Sequence, residues 1–377
     1  MKTAGATGSK TTIPQQFGLI NLLKAGAAQL IVLHHLAFYG PMADVARPLM
    51  PGVVDWLDAY GRVAVQVFLV IGGFLAAKSL SPHGQPGVAR PIATIWRRYL
   101  KLAPAFIVAM LLAIGASAIA RTWMDHDSIS APASLAQLMA HLFLMHDVLG
   151  YEALSAGAWY VAIDFQLYAS LTLLLWATGL LSSERRSSWL MPLVVLAATG
   201  ISLFYFNRDA DWDVWAPYFF GSYGLGVLAW WASDPRRGTG ATVALWLMMV
   251  VPTLISLELD FRIRIAVAAI VMCVLFLYGR TKLQACAHRG WSVVNYVAKI
   301  SYSIFLVHFP VCLVVNAAFT RFAPAQPEWQ LAGVVSAWMI SVGAGAVFCR
   351  WVEAPLGRLL STMLGPVAAR PLPAKAT

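Results

Sequence analysis

A lysine and a histidine share one face of the first apolar segment. Lys24 and His35 are eleven residues apart, which at about 100° per residue puts both on one side of a helix, about 16 Å apart along its axis. Ionisable groups are costly inside such a segment and usually mark function. His35 is therefore a candidate general base, with a helix-packing histidine as the alternative. His34 points about 100° away, and we interpret it first as a packing residue.

A carboxylate lies in the apolar segment that begins near residue 158. Asp164 and Tyr168 are one turn apart and share a face, with Gln166 between them. We expect Asp164 about two turns inside its helix, at a depth similar to that of His35. A carboxylate beside an imidazole fixes its tautomer and raises its basicity, so we predict a His35–Asp164 pair. The alternative is a structural pair between Asp164 and a buried arginine or lysine.

Basic residues gather where the third apolar segment begins, at Arg97, Arg98 and Lys101. Their i,i+3 and i,i+4 spacings allow them to clamp phosphates together, and a helix N-terminus attracts anions. The alternative is a topology signal or contact with lipid headgroups. Two further polar residues lie near the C-terminus, where His308 is in mid-segment and Glu353 closes the last segment. We interpret both as packing elements that can also support a site.

These residues must be positioned by helices that cross a membrane. The chain has 377 residues, of which 59% are hydrophobic and 12% charged, against about 25% charged in an ordinary soluble domain. Ten apolar runs are long enough to span a bilayer, so we predict an all-α polytopic membrane protein with about ten transmembrane helices. A shorter run, residues 135–149, predicts a re-entrant or interfacial helix. The ten runs begin near Leu19, Arg62, Tyr99, Ala158, Trp189, Trp215, Ala241, Arg262, Ile300 and Gln330.

The net charge of +10 has a topological explanation. Basic residues concentrate in alternate loops and acidic residues such as Asp58 and Asp127 in the others, which holds only if residues 135–149 do not span. We expect residues 1–18 and 352–377 to be cytoplasmic tails and residues 19–351 to form one transmembrane domain. No basic patch on a soluble domain points to nucleic acid, so we predict no such partner. The dispersed histidines predict no metal site.

Together these stretches resemble the acyltransferase type 3 family of bacterial integral-membrane acyltransferases along nearly the whole chain. The sequence departs from the family at Asp164, where glutamate is usual, and at Lys101, where arginine is common. Both departures keep the charge of the side chain. The resemblance rests on the spacing of Lys24 and His35, the phenylalanine-glycine stretch 67–75, the basic pair Arg98 and Lys101, and segments 159–168 and 300–310.

The resemblance implies transfer of an acyl group, commonly acetyl from acetyl-CoA, to a hydroxyl of a cell-surface or exported glycan or a similar small acceptor. Succinyl is the alternative acyl group. The expected location is the bacterial inner membrane. Coenzyme A phosphates would bind at Lys24 and at the basic cluster of Arg97, Arg98 and Lys101.

His35 would act as general base beside Asp164, or would itself carry the acyl group as acyl-histidine. Gln166 or Tyr168 would stabilise the oxyanion that forms on the thioester carbonyl during transfer. A secondary transporter or flippase of glycan intermediates is the competing interpretation, because ten spans with buried polar groups suit that class too. A non-catalytic scaffold is disfavoured because both His35 and Asp164 are present. The sequence leaves the oligomeric state open.

Overall fold

The computed structural model describes residues 18–181, 189–281 and 290–364, and these ranges contain helices and turns but no strand. The predicted N-terminal tail therefore lies almost entirely outside the described residues, as does the second half of the predicted C-terminal tail, residues 365–377. The helices are α1 (Gly18–Tyr39), α2 (Pro41–Ala46), α3 (Pro51–Tyr60), α4 (Ala64–Leu80), α5 (Pro91–Trp123), α6 (Leu135–Leu142), α7 (Ala158–Leu181), α8 (Leu190–Phe204), α9 (Ala216–Ala232), α10 (Thr239–Leu259), α11 (Ile263–Thr281), α12 (Gly290–Phe322), α13 (Pro327–Phe348) and α14 (Ala354–Leu364).

The prediction of an all-α polytopic membrane protein is confirmed. Nine helical stretches of the described chain are long and apolar enough to cross a membrane, including α3 and α4 taken together. The tenth predicted run is α9, which has only 17 residues. All of its residues except Pro217 and Trp230 are buried. A helix that is apolar and buried all round belongs to the core of a bundle, so α9 is the central span.

Glycines let α4 and α9 approach closely. A Cβ atom added at Gly73 would lie 1.9 Å from the backbone oxygen of Tyr223, and one added at Gly226 would lie 1.9 Å from that of Val70. Small residues of this kind allow helix backbones in membranes to pack in direct contact. Any larger side chain at either position would force the two helices apart.

The ends of the spans form two faces, which we name the Lys24 face and the His35 face after the two ends of α1. On the Lys24 face, the loop after α4 meets the end of α9, where Trp231 Nε1 donates a 2.7 Å hydrogen bond to the Ser81 carbonyl. On the His35 face, Arg62, Asp213 and Arg262 come from three different connections and line one cavity. Successive long helices therefore run in opposite directions across the bundle.

The short helix α6 turns back without crossing the bundle. The Tyr99 hydroxyl donates a 2.7 Å hydrogen bond to the Leu142 carbonyl at the end of α6. Near the start of α6, the Gln137 side-chain amide donates a 2.7 Å hydrogen bond to the Glu152 carbonyl. The chain between residues 137 and 152 is thus a closed loop against α5. This arrangement matches the short non-spanning helix that the sequence predicts.

The last span continues into α14 through a π-helical turn, Cys349–Glu353. The helical chain therefore reaches Leu364, beyond residue 352, where the sequence analysis places the start of the C-terminal tail. π-turns inside α-helices often occur at functional sites because they redirect side chains. Here the turn carries Glu353.

Candidate active site

A pair of histidines joins α1 to α12. His35 Nδ1 lies 2.6 Å from His308 Nε2, and the two ring planes differ by only 11°. His308 Nδ1 lies 2.8 Å from the Phe305 carbonyl and 3.1 Å from the Ile304 carbonyl. Both ring positions of His308 are therefore engaged, and the pair is buried.

These partners assign the protons of the pair. A carbonyl oxygen can only accept, so His308 Nδ1 carries the hydrogen and His308 Nε2 is an acceptor. His35 Nδ1 must then be the donor, which leaves a lone pair on His35 Nε2. Within the described residues His35 Nε2 has no hydrogen-bond partner, and the ring lines a cavity. This nitrogen is in the form that a general base or a nucleophile requires.

His34 has a packing role beside this pair. Its Nδ1 donates a 2.8 Å hydrogen bond to the Leu57 carbonyl, which ties α1 to α3. A Cβ atom added at Gly61 would lie 2.7 Å from His34 Cβ, so the ring fits against a residue without a side chain. These contacts agree with the interpretation of His34 as a packing residue, although it also borders the cavity.

The cavity at His35 has a volume of about 580 Å³ and lies on the His35 face. Ligand pockets commonly measure about 300–1,000 Å³ and combine apolar walls with a few placed polar groups. Aromatic rings offer flat apolar walls, and carboxylates accept hydrogen bonds from hydroxyls. The cavity therefore suits a hydroxyl-rich molecule. Its aromatic and charged lining is Phe38, Tyr39, Trp159, Phe305, Phe309, Asp58, Asp127, Glu152 and Arg62.

No local sequence pattern indicates that the charged residues of this lining belong to a site. Asp58 and Asp127 entered only as loop charges, and Arg62 only as the start of a span. Their shared location on one side of the membrane was the available signal. The loops that carry them are far apart in sequence, so only the packed bundle shows that they face one cavity.

The predicted pair of His35 and Asp164 is wrong. Arg98 donates a 2.5 Å hydrogen bond to the Asp164 carboxylate, and the two side chains are 24% and 13% exposed. The Arg98 guanidinium also lies 5.0 Å from the ring centre of Tyr168. A carboxylate in this environment requires an opposite charge, and α5 supplies one directly beside α7. The alternative that the sequence left open, a buried arginine partner, is the one observed, and His308 is the partner of His35.

Gln166 holds the start of α9. Its side-chain oxygen accepts from the Ala216 backbone N–H at 3.0 Å, and its amide nitrogen donates to the Val214 carbonyl at 3.3 Å. Both ends of the amide are therefore engaged away from His35. Tyr168 likewise contacts Arg98 and does not line the cavity at His35. These contacts give no support to an oxyanion role for either residue.

A second charged cluster lies toward the Lys24 face. Lys24 and Lys101 are both within electrostatic range of Glu353. The Ser303 hydroxyl donates a hydrogen bond to the Glu353 carboxylate, so the π-turn is tied to α12. Arg97 is half-buried and has no ion pair among the described residues. Of the four basic residues predicted to bind phosphates, Arg98 is thus engaged by Asp164, Lys24 and Lys101 are near Glu353, and Arg97 has no carboxylate partner among the described residues.

Aromatic rings fill the space between the two charged ends. Phe305 lies 5.9 Å from His308 and 5.2 Å from Tyr160, measured between ring centres, and Phe68 lies 6.0 Å from Tyr160. Tyr160 is in turn within electrostatic range of Asp164. A row of polar and aromatic groups therefore leads through the bundle from the basic cluster to His35.

A comparison with protein families identifies the family of this chain. A family model described as an acyltransferase domain matches residues 18–349, which run from the first residue of α1 to the start of the π-turn. No curated protein and no solved structure matches the chain. The matched range contains His35, His308 and the basic cluster. Because it covers most of the chain, the protein belongs to the acyltransferase type 3 family and is a membrane-embedded acyltransferase.

Proposed function

We propose that this protein transfers an acetyl group from cytoplasmic acetyl-CoA to a hydroxyl of a cell-surface or exported glycan. The observation that carries the proposal is the unprotonated Nε2 of His35 on the wall of a polar and aromatic cavity. The hydrogen bond to His308 holds that ring in one tautomer and one orientation. A fixed base beside a cavity for a hydroxyl-rich molecule is the arrangement that acyl transfer to a hydroxyl requires.

The proposed reaction uses the unprotonated Nε2 of His35 as the base. His35 Nε2 takes the proton of the acceptor hydroxyl, and the oxygen of that hydroxyl attacks the carbonyl carbon of the thioester. The carbon–sulfur bond then breaks, and the departing thiolate receives the proton from His35. During the step His35 is a cation whose Nδ1–H still points at His308 Nε2, so His308 stabilises the charge. His308 acts as a positioning residue.

The donor enters from the Lys24 face in this proposal. Lys24 and Lys101 lie near Glu353, and Arg97 forms no ion pair within the described residues, so the excess positive charge of the three favours the phosphates of coenzyme A. Lys24 and His35 lie on one face of α1, about 16 Å apart along its axis. An extended thioester arm along the aromatic row would bring its carbonyl to His35.

Loop charges favour a cytoplasmic Lys24 face. The connections and helix ends on that face carry arginines and few carboxylates, whereas the opposite face carries most of the aspartates beside arginines such as Arg62, as expected when the more basic side stays in the cytoplasm of a bacterium. The cavity at His35 then opens away from the cytoplasm, where an exported glycan is available. The arginines are Arg90, Arg97, Arg236, Arg237 and Arg280, and the aspartates are Asp44, Asp55, Asp58, Asp125, Asp127, Asp209, Asp211 and Asp213.

Release of free coenzyme A thiol tests the proposal. The purified protein in lipid is supplied with acetyl-CoA and a crude envelope-glycan extract, and wild type is compared with His35→Ala and His34→Ala. The expected result is acceptor-stimulated release that His35→Ala abolishes and His34→Ala largely keeps. Radiolabel that stays on the protein after acid quench would indicate an acyl-histidine intermediate in place of direct transfer. No release with any short acyl-CoA, from folded protein, would favour the transporter function.

A further inference from the structure

A second cavity adjoins the cavity at His35. It has a volume of about 700 Å³ and also lies on the His35 face. The two cavities share the wall residues Ala59, Arg62, Val65, Ala153 and Trp159. Each cavity alone has the size of a small-ligand pocket. Their common wall makes them two compartments of one vestibule, so a single extended acceptor can occupy both.

The two compartments differ in charge. The compartment at His35 has three carboxylates, Asp58, Asp127 and Glu152, and one arginine, Arg62. The second compartment has three arginines and two carboxylates. These five charged residues are Arg62, Arg262, Arg264, Asp147 and Asp213. The first compartment therefore favours a neutral, hydroxyl-bearing group, and the second can accept negative charge.

Two of the arginines in the second compartment have no carboxylate partner among the described residues. Arg262 lies 3.4 Å from the Asp260 carboxylate, so its charge is compensated. Arg264 instead donates to the Asn207 carbonyl at 2.7 Å and stacks 4.9 Å from the ring centre of Tyr218. Its Nε is buried and has no hydrogen-bond partner. A guanidinium with a buried, unpaired nitrogen and no carboxylate partner destabilises the fold unless an anion binds to it.

Arg62 is the other uncompensated arginine. Its side chain is exposed, and within the described chain it forms no ion pair. It lines both compartments and so stands at their junction. The planar guanidinium binds carboxylate and phosphate through two parallel hydrogen bonds. An oxyanion at this junction would lie beside the group that is held at His35.

The two carboxylates of the second compartment lie close enough to each other to interact. The pKa of Asp147 is raised to about 6 by burial and by the nearby Asp213. Within the described chain the Asp147 carboxylate lies 3.4 Å from His146 Nε2, and Asp213 forms no ion pair, so neither carboxylate is paired with an arginine of this wall. The arginines remain available to a ligand.

We propose that the acceptor is an acidic glycan that places a hydroxyl-bearing unit at His35 and a carboxylate or phosphate at Arg62 and Arg264. This inference rests on the proposed acyl transfer to a glycan and adds the chemical class of that acceptor. The carboxylate or phosphate group fixes the position of the glycan in the vestibule. It therefore determines which hydroxyl of the glycan reaches His35 Nε2. Carboxylate and phosphate make the same contacts with arginine, so the structure does not choose between them. The experiment therefore uses a probe with each group.

Binding to the full-length protein in lipid nanodiscs tests this site. The probes are a neutral disaccharide, the same disaccharide with one uronic acid unit, and the same disaccharide with a phosphate monoester. Wild type is compared with Arg62→Gln, Arg264→Gln and the control Arg321→Gln. Arg321 is exposed at the end of α12 on the same face and lines neither compartment. Since Arg62 is exposed, its variant is expected to fold even if Arg264→Gln does not.

The expected result is that one acidic probe binds wild type roughly tenfold more tightly than the neutral probe. Arg62→Gln should remove this preference, and Arg321→Gln should keep it. Equal affinity for neutral and acidic probes, or no binding of either acidic probe, would overturn the proposal. Binding is measured without turnover, so it is independent of acetyl transfer. If the protein prefers an acidic probe but transfers no acetyl group, the proposed function is contradicted and the anion site at Arg62 and Arg264 is still supported.

Discussion

His35 donates a 2.6 Å hydrogen bond from Nδ1 to Nε2 of His308, and His308 in turn donates from Nδ1 to the Phe305 carbonyl. The orienting partner of the candidate base is thus a second neutral imidazole and not a carboxylate. A neutral partner fixes the tautomer without placing a negative charge deep in the bundle, where an unpaired ion is costly. The backbone of α12 is the final anchor of this chain of hydrogen bonds.

Replacement of His308 by alanine should lower kcat roughly 100-fold, because the His35 ring loses the acceptor that fixes its tautomer. The KM for acetyl-CoA should change little, since the basic cluster is untouched. His308→Gln should retain more activity, because its side-chain oxygen can accept from His35 Nδ1. Steady-state kinetics of the three proteins provide the measurement. Full activity in His308→Ala would show that His35 needs no partner.

The ion pair of Arg98 and Asp164 should act as a structural link between α5 and α7. Breaking it with Asp164→Leu alone leaves a buried cation and should cost about 3 kcal/mol. The double variant with Arg98→Met removes both charges and should recover most of that loss. Thermal unfolding in detergent measures the effect, and Asp164→Glu is the matched control that keeps the charge. A double variant no more stable than the single one would refute the link.

Nine of the ten predicted spans match long apolar helices of the described chain, because the length of an apolar run reflects the thickness of a bilayer directly. The placement of Lys24 and His35 on one face of α1, toward its two ends, followed from helical periodicity within α1 alone. The partner of Asp164 was not predictable, since it depends on which of several helices packs beside α7. Both an imidazole and a guanidinium were compatible with the local pattern, and only the packing of α5 decides between them.

The pair of histidines had a weaker signal. His308 was recognised as an intramembrane polar residue, and such residues usually find one another. Its contact with His35 spans 273 positions of sequence, and no local periodicity encodes it. The vestibule formed by the two cavities was missed for the same reason, since its walls include residues from five separate connections. Long-range packing, and not local propensity, determines this part of the site.

Lys101 should contribute to donor affinity more than to the chemical step. Lys101→Gln removes one positive charge at the Lys24 face and should raise the KM for acetyl-CoA roughly tenfold with kcat unchanged. The effect should shrink at high salt, which screens exposed charges. Arg358→Gln, an exposed charge change in α14 on the same face, is the control. A lowered kcat at constant KM would place Lys101 in the chemical step instead.

Asp147 should make the stability of the folded protein depend on pH, and the substitution Asp147→Asn should remove this dependence. Burial raises its pKa to about 6, so the folded protein keeps a proton that the unfolded chain releases above its ordinary pKa of about 3.8. The stability contributed by this group is present at low pH and is lost as pH rises through about 6. Asp147→Asn should therefore have a higher Tm than wild type at pH 7.

The same comparison at pH 4.5 provides the control for this effect. Most of the Asp147 carboxyl is protonated there in the folded protein, so the Tm difference between wild type and Asp147→Asn should shrink. The neighbouring His146, whose Nε2 lies 3.4 Å from the Asp147 carboxylate, has its pKa lowered to about 3 by burial and by His141, so it stays neutral in the folded protein across this range. A Tm difference that stays constant across this range would show that Asp147 has an ordinary pKa.

The most direct test of acetyl transfer across the membrane uses sealed proteoliposomes of known orientation, determined by protease access to a tag after Thr377. Labelled acetyl-CoA is supplied on one side and the glycan acceptor on the other. Label should reach the acceptor only when acetyl-CoA is on the side of the Lys24 face and the acceptor on the side of the His35 face, and His35→Ala should abolish the transfer. Equal transfer in His35→Ala, or transfer only when both substrates share the His35 side, would contradict a donor path through the bundle to His35.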